Sequence, residues 1–428
     1  MIVLLVLSLV FFGAAMIAMP IAIAMGLGSA AVGVGWDIPG FVLAQKTLNG
    51  VDSFTLLAIP FFMLAARIMN AGGITPRVVD VFANAAGRIR GSSALVNVGA
   101  NIFLAGISGS SVADCAATGS LLIPEMKREG YSGGFAAAFT AGCALLGGIC
   151  GPAIALIIYG IVAQVSITRL LLAGYVPGLL LAATLGTYVM FVAYRKKIPA
   201  RGRAKSWGVI GHSFLKSGWA ISTPLLLIVG IRTGVFTVTE LGAVLVLYAI
   251  FVGWVIHREL KWCEIPHMLV EGGLQTANVM LVVGVSSFIA YLIVIFGIPD
   301  TLQAVLHGAN LSRIEFLLLV NVVFLVAGMF LDSTPATLIL VPIFLPVAIS
   351  YGVDPIHFGL VICLNLMIGL IHPPLGLNLL ITRQIAQVPM KEVIWESLPI
   401  VGLLLLVLAI ITFVPEVALW LPNKLGVT

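Results

Sequence analysis

Nine long apolar runs constrain this chain more than any other feature. They lie at about 2–25, 51–70, 135–163, 170–194, 218–236, 240–256, 273–297, 357–381 and 398–414. A helix crosses the hydrocarbon core of a bilayer with about 20 such residues. Charged residues make up 9% of the 428 residues and hydrophobic ones 61%, whereas soluble domains carry about 25% charged residues. Water cannot solvate that much apolar surface. A soluble enzyme, a nucleic-acid binder and a disordered scaffold are thereby excluded, and an all-α polytopic membrane protein is implied.

The first run has no Lys or Arg before it and is long for a signal peptide, so it reads as a retained first span. Residues 27–47 are Gly-rich and read as a short or re-entrant helix. The five cysteines form no CxxC pair and sit mostly in apolar runs, which makes them buried free thiols. The net charge of +5 is no nucleic-acid footprint, because the basic residues sit in short loops.

Those basic residues orient the chain, since Lys and Arg gather on the cytoplasmic side. The loop holding Arg195, Lys196, Lys197, Arg201, Arg203 and Lys205 is the strongest marker. Alternating outward from it places seventeen of the 22 basic residues inside and five outside, namely Lys46, Arg169, Arg232, Arg313 and Lys424. The N-terminus is then cytoplasmic and the C-terminus periplasmic. Stretches 92–127 and 315–350 must each enter and leave on one face, as re-entrant hairpins from opposite sides. Their tips are tolerated at membrane depth only if they are buried in protein or line a cavity.

An offset of 222 residues aligns the two halves. Gly106 meets Gly328, Ser111 meets Ser333, Pro124 meets Pro346 and Gly130 meets Gly352. Gly147, Ile149 and Pro152 meet Gly369, Ile371 and Pro374. Upstream, Leu95–Val98 matches Leu319–Val322 with a two-residue slip. Opposed orientation of two such copies is the mark of an inverted-repeat secondary transporter. The division is a first repeat over 1–194, a basic loop with an interfacial helix and linking span over 195–236, and a second repeat over 237–428.

Each copy pairs a polar hairpin tip with a broken helix. The tips are Ser108-Gly109-Ser110-Ser111 and Asp332-Ser333-Thr334-Pro335. The breaks are Gly147–Pro152 and Gly369–Gly376, the second holding His372 and Pro374. Pro frees a carbonyl and Gly lets the chain turn. Unwound carbonyls and hydroxyls suit Na⁺, and helix N-termini facing the same cavity favour an anion. Intramembrane carboxylates are costly, so Asp114 and Asp332 carry functional weight. N-terminal capping competes with ion binding at Asp114. Asn365 and Asn378 flank the second break, while His357 reads as ordinary. No nucleophile elbow, zinc helix or Walker loop is present, so the chain is no enzyme and has no intrinsic ATP drive.

These stretches resemble the large, DctM-like membrane subunit of tripartite ATP-independent periplasmic (TRAP) transporters. The likeness spans essentially the whole chain. It is carried by Gly109–Asp114, Ile123–Ser132, Gly328–Pro335, Asp354–Leu360 and Pro373–Asn378. It implies a bacterial inner-membrane permease of the inverted-repeat ion-transporter fold, with two re-entrant hairpins, two broken helices and an elevator movement. A small four-helix membrane subunit and a periplasmic substrate-binding protein are the implied partners. The implied cargo is a C4-dicarboxylate or related organic acid, with Na⁺ as coupling ion. Carried over, the Na⁺ ligands fall on Ser108, Ser110, Ser111, Gly147 and Gly151, and on Asp332, Ser333, Thr334, Gly369 and Gly376. Substrate contacts fall on Ser110, Asp114, Cys150, Pro152, Asp332, His372, Pro374 and Asn378. Cys150-Gly151-Pro152-Ala153 and His372 depart from the family's usual double proline with serine and its usual threonine. Those departures imply a specificity partly reset by Cys150 and His372. A stand-alone carboxylate permease of the same fold is the main alternative, and a channel the next.

Overall fold

The computed structural model describes residues 2–17, 19–87, 89–199, 217–233, 235–373 and 376–426. Residues 200–216 of the expected basic loop, with Trp207, His212 and Lys216 of its expected interfacial helix, and the break residue Pro374 lie outside them. Every regular element among the described residues is helical. Among the described residues, seven helices are long and apolar enough to cross a membrane.

Both hairpins form. The first joins Ser92–Ser108 to Ser111–Glu129, and the second joins Arg313–Phe330 to Ser333–Ser350. Both breaks form too. Gly133–Ala144 tightens into a 3₁₀ turn at Leu145–Gly148 before Ile154–Val162 resumes. Pro355–Gly369 stops before Leu377–Ala386 resumes, five residues beyond the expected end at 381.

The 222-residue offset carries into local geometry. Ser110 and Asp332 are the N-caps of the second hairpin arms, and Ser132 and Asp354 are the N-caps of the broken helices. Gly130 (φ 108°) and Gly352 (φ 70°) turn the chain after each hairpin with the left-handed backbone that glycine tolerates best. The two-residue slip is real as well. Left-handed Gly73 and Gly297 each precede a short amphipathic helix, Ile74–Ala86 and Ile298–Gly308. Packing crosses between the copies: Ser111–Glu129 lies on Leu377–Ala386, and Ser333–Ser350 lies on Ile154–Val162.

The base of the first hairpin is pinned by charge. The buried Glu129 carboxylate accepts from Ser92 Oγ (2.9 Å), Ser93 N (3.1 Å) and Ser93 Oγ (2.5 Å). An anion there also suits the positive end of the Ser92–Ser108 helix.

The first apolar run differs from expectation. It is two helices, Ile2–Met16 and Ile21–Gly35, rather than one span over 2–25. Pro20 precedes the second, and the residue before a proline is driven out of the helical region. The helices fold back on each other, since a Cβ on Gly28 would sit 3.1 Å from the Leu7 carbonyl oxygen. No basic residue lies in 17–20 or 36–39, so the tally of loop charges is untouched.

Contacts between distant parts of the chain hold several of the basic residues in place. Arg67 pairs with Glu271, Arg77 with Glu259 at 2.6 Å and Lys196 with Glu396 at 3.7 Å, while Lys127 donates to Ala386 O at 3.0 Å. Elsewhere Arg169 donates to Asn423 at 3.1 Å and Lys46 lies over the Tyr291 ring.

Candidate functional site

Each tip is shaped by the residue the turn demands. Gly109 is left-handed (φ 61°), and a Cβ there would run into the Pro152 carbonyl. Ser110 is extended and caps the next helix, its Oγ accepting from Ala113 N at 3.4 Å. Its own N–H donates to Ser108 Oγ at 3.3 Å. The Gly109 carbonyl accepts from Ile154 N at 3.1 Å, so the tip is tied to the helix restarting after the first break. In the second hairpin Leu331 is extended and Asp332 leads into Ser333–Ser350.

Glycines in the breaks are set by what lies across from them. Gly147 faces Asp114, whose Oδ2 occupies the space a Cβ would need. Gly151 (φ 70°) lies against Ala105 O and Gly106 Cα, each 2.7 Å from a Cβ position. Gly369 backs onto Gly328, whose Cα is 2.6 Å from the corresponding point. At Gly376 (φ 38°) the carbonyl oxygens of Leu370 and His372 both come within 3.2 Å of the Cβ position. Leu379 Cδ1 lies 3.1 Å from the same point, so two carbonyls and a methyl group close it off.

The tips meet in one cavity of about 350 Å³. Ser110, Ser111 and Val112 line it from the first hairpin, and Asp332, Ser333 and Thr334 from the second. Gly148 and Met367 contribute from the two broken helices. Met63, Gln275 and Asn278 close it from the opposite side, on the helices Ala58–Ala71 and Ile265–Ile295. Two helices, Ser111–Glu129 and Ser333–Ser350, thus aim their N-termini at the same space.

Behind the first tip lies a stranded acceptor. Asp114 is 2% exposed, and its Oδ2 has no hydrogen-bond partner among the described residues. A buried carboxylate oxygen without a partner is costly, and a bound cation would relieve it. The Ser108 hydroxyl and Gly147 lie beside it. These residues therefore fit a Na⁺ ion, with hydroxyl, carboxylate and carbonyl oxygens within reach.

Several expected substrate residues stand elsewhere. Asp114 is off the cavity wall, behind the tip. Cys150 turns away: its Sγ is 4.0 Å from Gly174 O and fills the space beside Gly178. The buried Pro152 lends only its carbonyl, against Gly109. His372 is half-buried with Nδ1 2.6 Å from Pro373 O, bracing its own break. Asn378 is fully buried, donating Nδ2 to Ser111 Oγ at 2.7 Å, and its Oδ1 is unpartnered. For Cys150, Pro152 and His372 the physical reason is shared: inside a break, local backbone angles rather than helical spacing set where a side chain points. His357 is structural, its Nε2 2.8 Å from Ile411 O.

Sequence reasoning missed Met63, Gln275 and Asn278. The available signal was an amide pair three residues apart, one helical turn, in an otherwise apolar stretch.

A family model described as tripartite ATP-independent periplasmic transporter, DctM component, matches residues 6–417. The C4-dicarboxylate TRAP transporter large permease protein DctM of Pseudomonas aeruginosa is 39% identical over 389 residues, 90% of each chain. The 2,3-diketo-L-gulonate TRAP transporter large permease protein YiaN of Escherichia coli is 37% identical over 413 residues, 96% of this chain and 97% of that one. The crystal structure of the Alcanivorax borkumensis YdaH transporter shares the fold at a TM-score of 0.65 and 14% identity. It covers 90% of this chain, and 88% of that chain is matched.

Proposed function

The chain belongs to the DctM-component family of tripartite ATP-independent periplasmic transporters, and from that membership we propose a specific role for it. It is the transport subunit of a Na⁺-coupled, binding-protein-dependent importer of an organic acid across the bacterial inner membrane. A C4-dicarboxylate or a related carboxylate is the cargo. A small four-helix membrane subunit and a periplasmic binding protein work with it.

One observation carries the reading: tips from both halves of the chain line a single cavity with the two helix breaks. An anion entering it meets two helix N-termini, which favour it. It also meets Asp332 on the wall and Asp114 behind the first tip, which repel it. Cations beside those carboxylates turn repulsion into attraction, so ion binding must accompany substrate binding. Ser108, Ser110, Ser111, Asp114 and Gly147 would hold one Na⁺. Asp332, Ser333, Thr334 and the carbonyls around Gly369–Gly376 would hold the other. The cavity wall is split between the hairpin elements and the Ile265–Ile295 helix. An elevator movement would carry the tips and breaks past that helix and away from Gln275 and Asn278.

The folded-back pair Ile2–Met16 and Ile21–Gly35 supports a periplasmic N-terminus, on the same face as Lys46 and the C-terminus. With the linking span Gly218–Thr233 counted to the second half, both halves then cross an odd number of times, as inverted repeats require.

Uptake into proteoliposomes tests the role. Labelled organic acids are offered with and without a Na⁺ gradient, the small subunit and the binding protein. Accumulation that needs all three is the expected result. Accumulation with the gradient alone would make the chain a self-sufficient permease.

A further inference from the structure

Away from the transport cavity, the loop between two membrane spans forms a second, differently built pocket. Helix Val238–Phe251 continues as a π-helical turn, Val252–Ile256, and the chain then runs through His257–Glu264 into Ile265–Ile295. A pocket of about 550 Å³ opens here, lined by Trp254, Val255, Arg258, Leu260, Lys261 and Trp262.

The loop is held rigidly. Gly253 O accepts from both Glu259 N and Leu260 N, each at 3.1 Å. His257 Nδ1 lies 2.8 Å from Gly72 O, and the two backbones touch, since a Cβ on Gly72 would be 2.9 Å from Gly253 Cα. Leu260 is buried. Arg77 pairs with Glu259, and that hydrogen bond holds the Glu259 carboxyl below its usual range, so this acid is already neutralised. Glu264, the other acid in the loop, stands at the start of the next helix. Arg258 and Lys261 have no ion-pair partner among the described residues.

The aromatic walls are equally distinctive. Trp254 and Trp262 meet edge to face, with centroids 5.0 Å apart, yet remain 45% and 58% exposed. Half-exposed indoles at the end of an apolar span mark the depth of lipid headgroups. Two unpaired cations lining the same pocket, Arg258 and Lys261, supply a site for a phosphate group.

We propose that this pocket binds the phosphate headgroup of an anionic phospholipid, with Arg258 and Lys261 on the phosphate and Trp254 and Trp262 against the glycerol and upper acyl chain. The bound lipid fastens the Gly72–Gly253 crossing at the membrane surface. This assignment is independent of what the chain transports.

The test reads binding rather than transport. The full chain, purified in mild detergent, is offered equal phosphatidylglycerol and phosphatidylcholine of the same acyl chains, and retained lipid is counted by native mass spectrometry. At least a fivefold preference for phosphatidylglycerol is expected, falling to near parity in R258A/K261A. W254A/W262A should retain less of both lipids. R195A/K197A, which removes exposed basic residues of the same face outside the pocket, should keep the preference. Parity in the unmodified chain would overturn the proposal. So would an equal loss in R195A/K197A, which would reduce the effect to general attraction by the basic face. Inorganic phosphate at millimolar concentration should displace little phosphatidylglycerol; full displacement would mean a free-phosphate site and overturn the lipid assignment.

Discussion

Asn378 donates through Nδ2 to Ser111 Oγ at 2.7 Å, joining the first hairpin tip to the helix that restarts after the second break. The two residues lie 267 positions apart and belong to opposite halves of the chain. Cys115, one turn beyond Ser111, adds a thiol contact to Asn378 O at 3.6 Å. Because Asn378 fixes the Ser111 hydroxyl, a Na⁺ ion using that oxygen would sense the second half of the molecule. The crossed packing thus joins the first hairpin tip directly to the helix after the second break.

Asn378→Ala should therefore weaken Na⁺ rather than merely loosen the fold. Removing the amide strands the Ser111 hydroxyl in a buried place, at a cost of about 1–3 kcal/mol. The Na⁺ concentration for half-maximal uptake is expected to rise about tenfold, the equivalent of about 1.4 kcal/mol. An unchanged Na⁺ dependence with normal expression would detach Asn378 from the ion site.

Gly147→Ala asks whether the space in front of Asp114 matters. The added methyl would take the position of Asp114 Oδ2, so uptake should fall below a tenth of normal. Gly402→Ala is the matched control, because a Cβ there meets nothing within 4 Å. Equal behaviour of the two variants would show that Gly147 is a packing residue alone.

Glu129→Gln probes the hairpin base. The amide keeps the shape but loses the charge that accepts three hydrogen bonds and faces a helix N-terminus. A destabilisation of about 1–2 kcal/mol is expected, read as a lower midpoint of thermal unfolding in detergent. Since the base lies far from the cavity, the substrate profile should not move.

Topology gives a further check. A protease-cleavable tag placed before Ile2 should be cut in intact spheroplasts, as should a tag after Thr428. Protection of the first tag alone would restore a single crossing over 2–25.

What could be read from residues alone divides along physical lines. Both hairpins and both breaks were legible because Gly, Pro and Ser impose backbone shape locally, and a repeat doubles that signal. Gly130 with Gly352 and Ser132 with Asp354 are the clearest cases. The split at Pro20 was equally local and was overridden by the apolarity around it. Side-chain direction inside the breaks was not legible, as Cys150 and His372 demonstrate. Nor was the far wall of the cavity. Gln275 and Asn278 belong to it only because the Ile265–Ile295 helix packs where it does, which no local pattern in that helix specifies.

That far wall yields the sharpest prediction. Gln275 and Asn278 are exposed to the cavity and have no hydrogen-bond partner among the described residues. Amide N–H groups match a carboxylate without adding charge, and a polar side chain in an apolar span is tolerated where it faces water or ligand. Asn278→Ala should raise KM for the best-transported acid of the panel about five- to tenfold, the loss of one hydrogen bond to a charged group. Cys150→Ala should leave KM and the order of preferred acids unchanged, because its thiol points at Gly178. If Cys150→Ala reorders the acids and Asn278→Ala does not, the specificity lies in the break and not across the cavity, and the wall assigned to the Ile265–Ile295 helix would have to be given up.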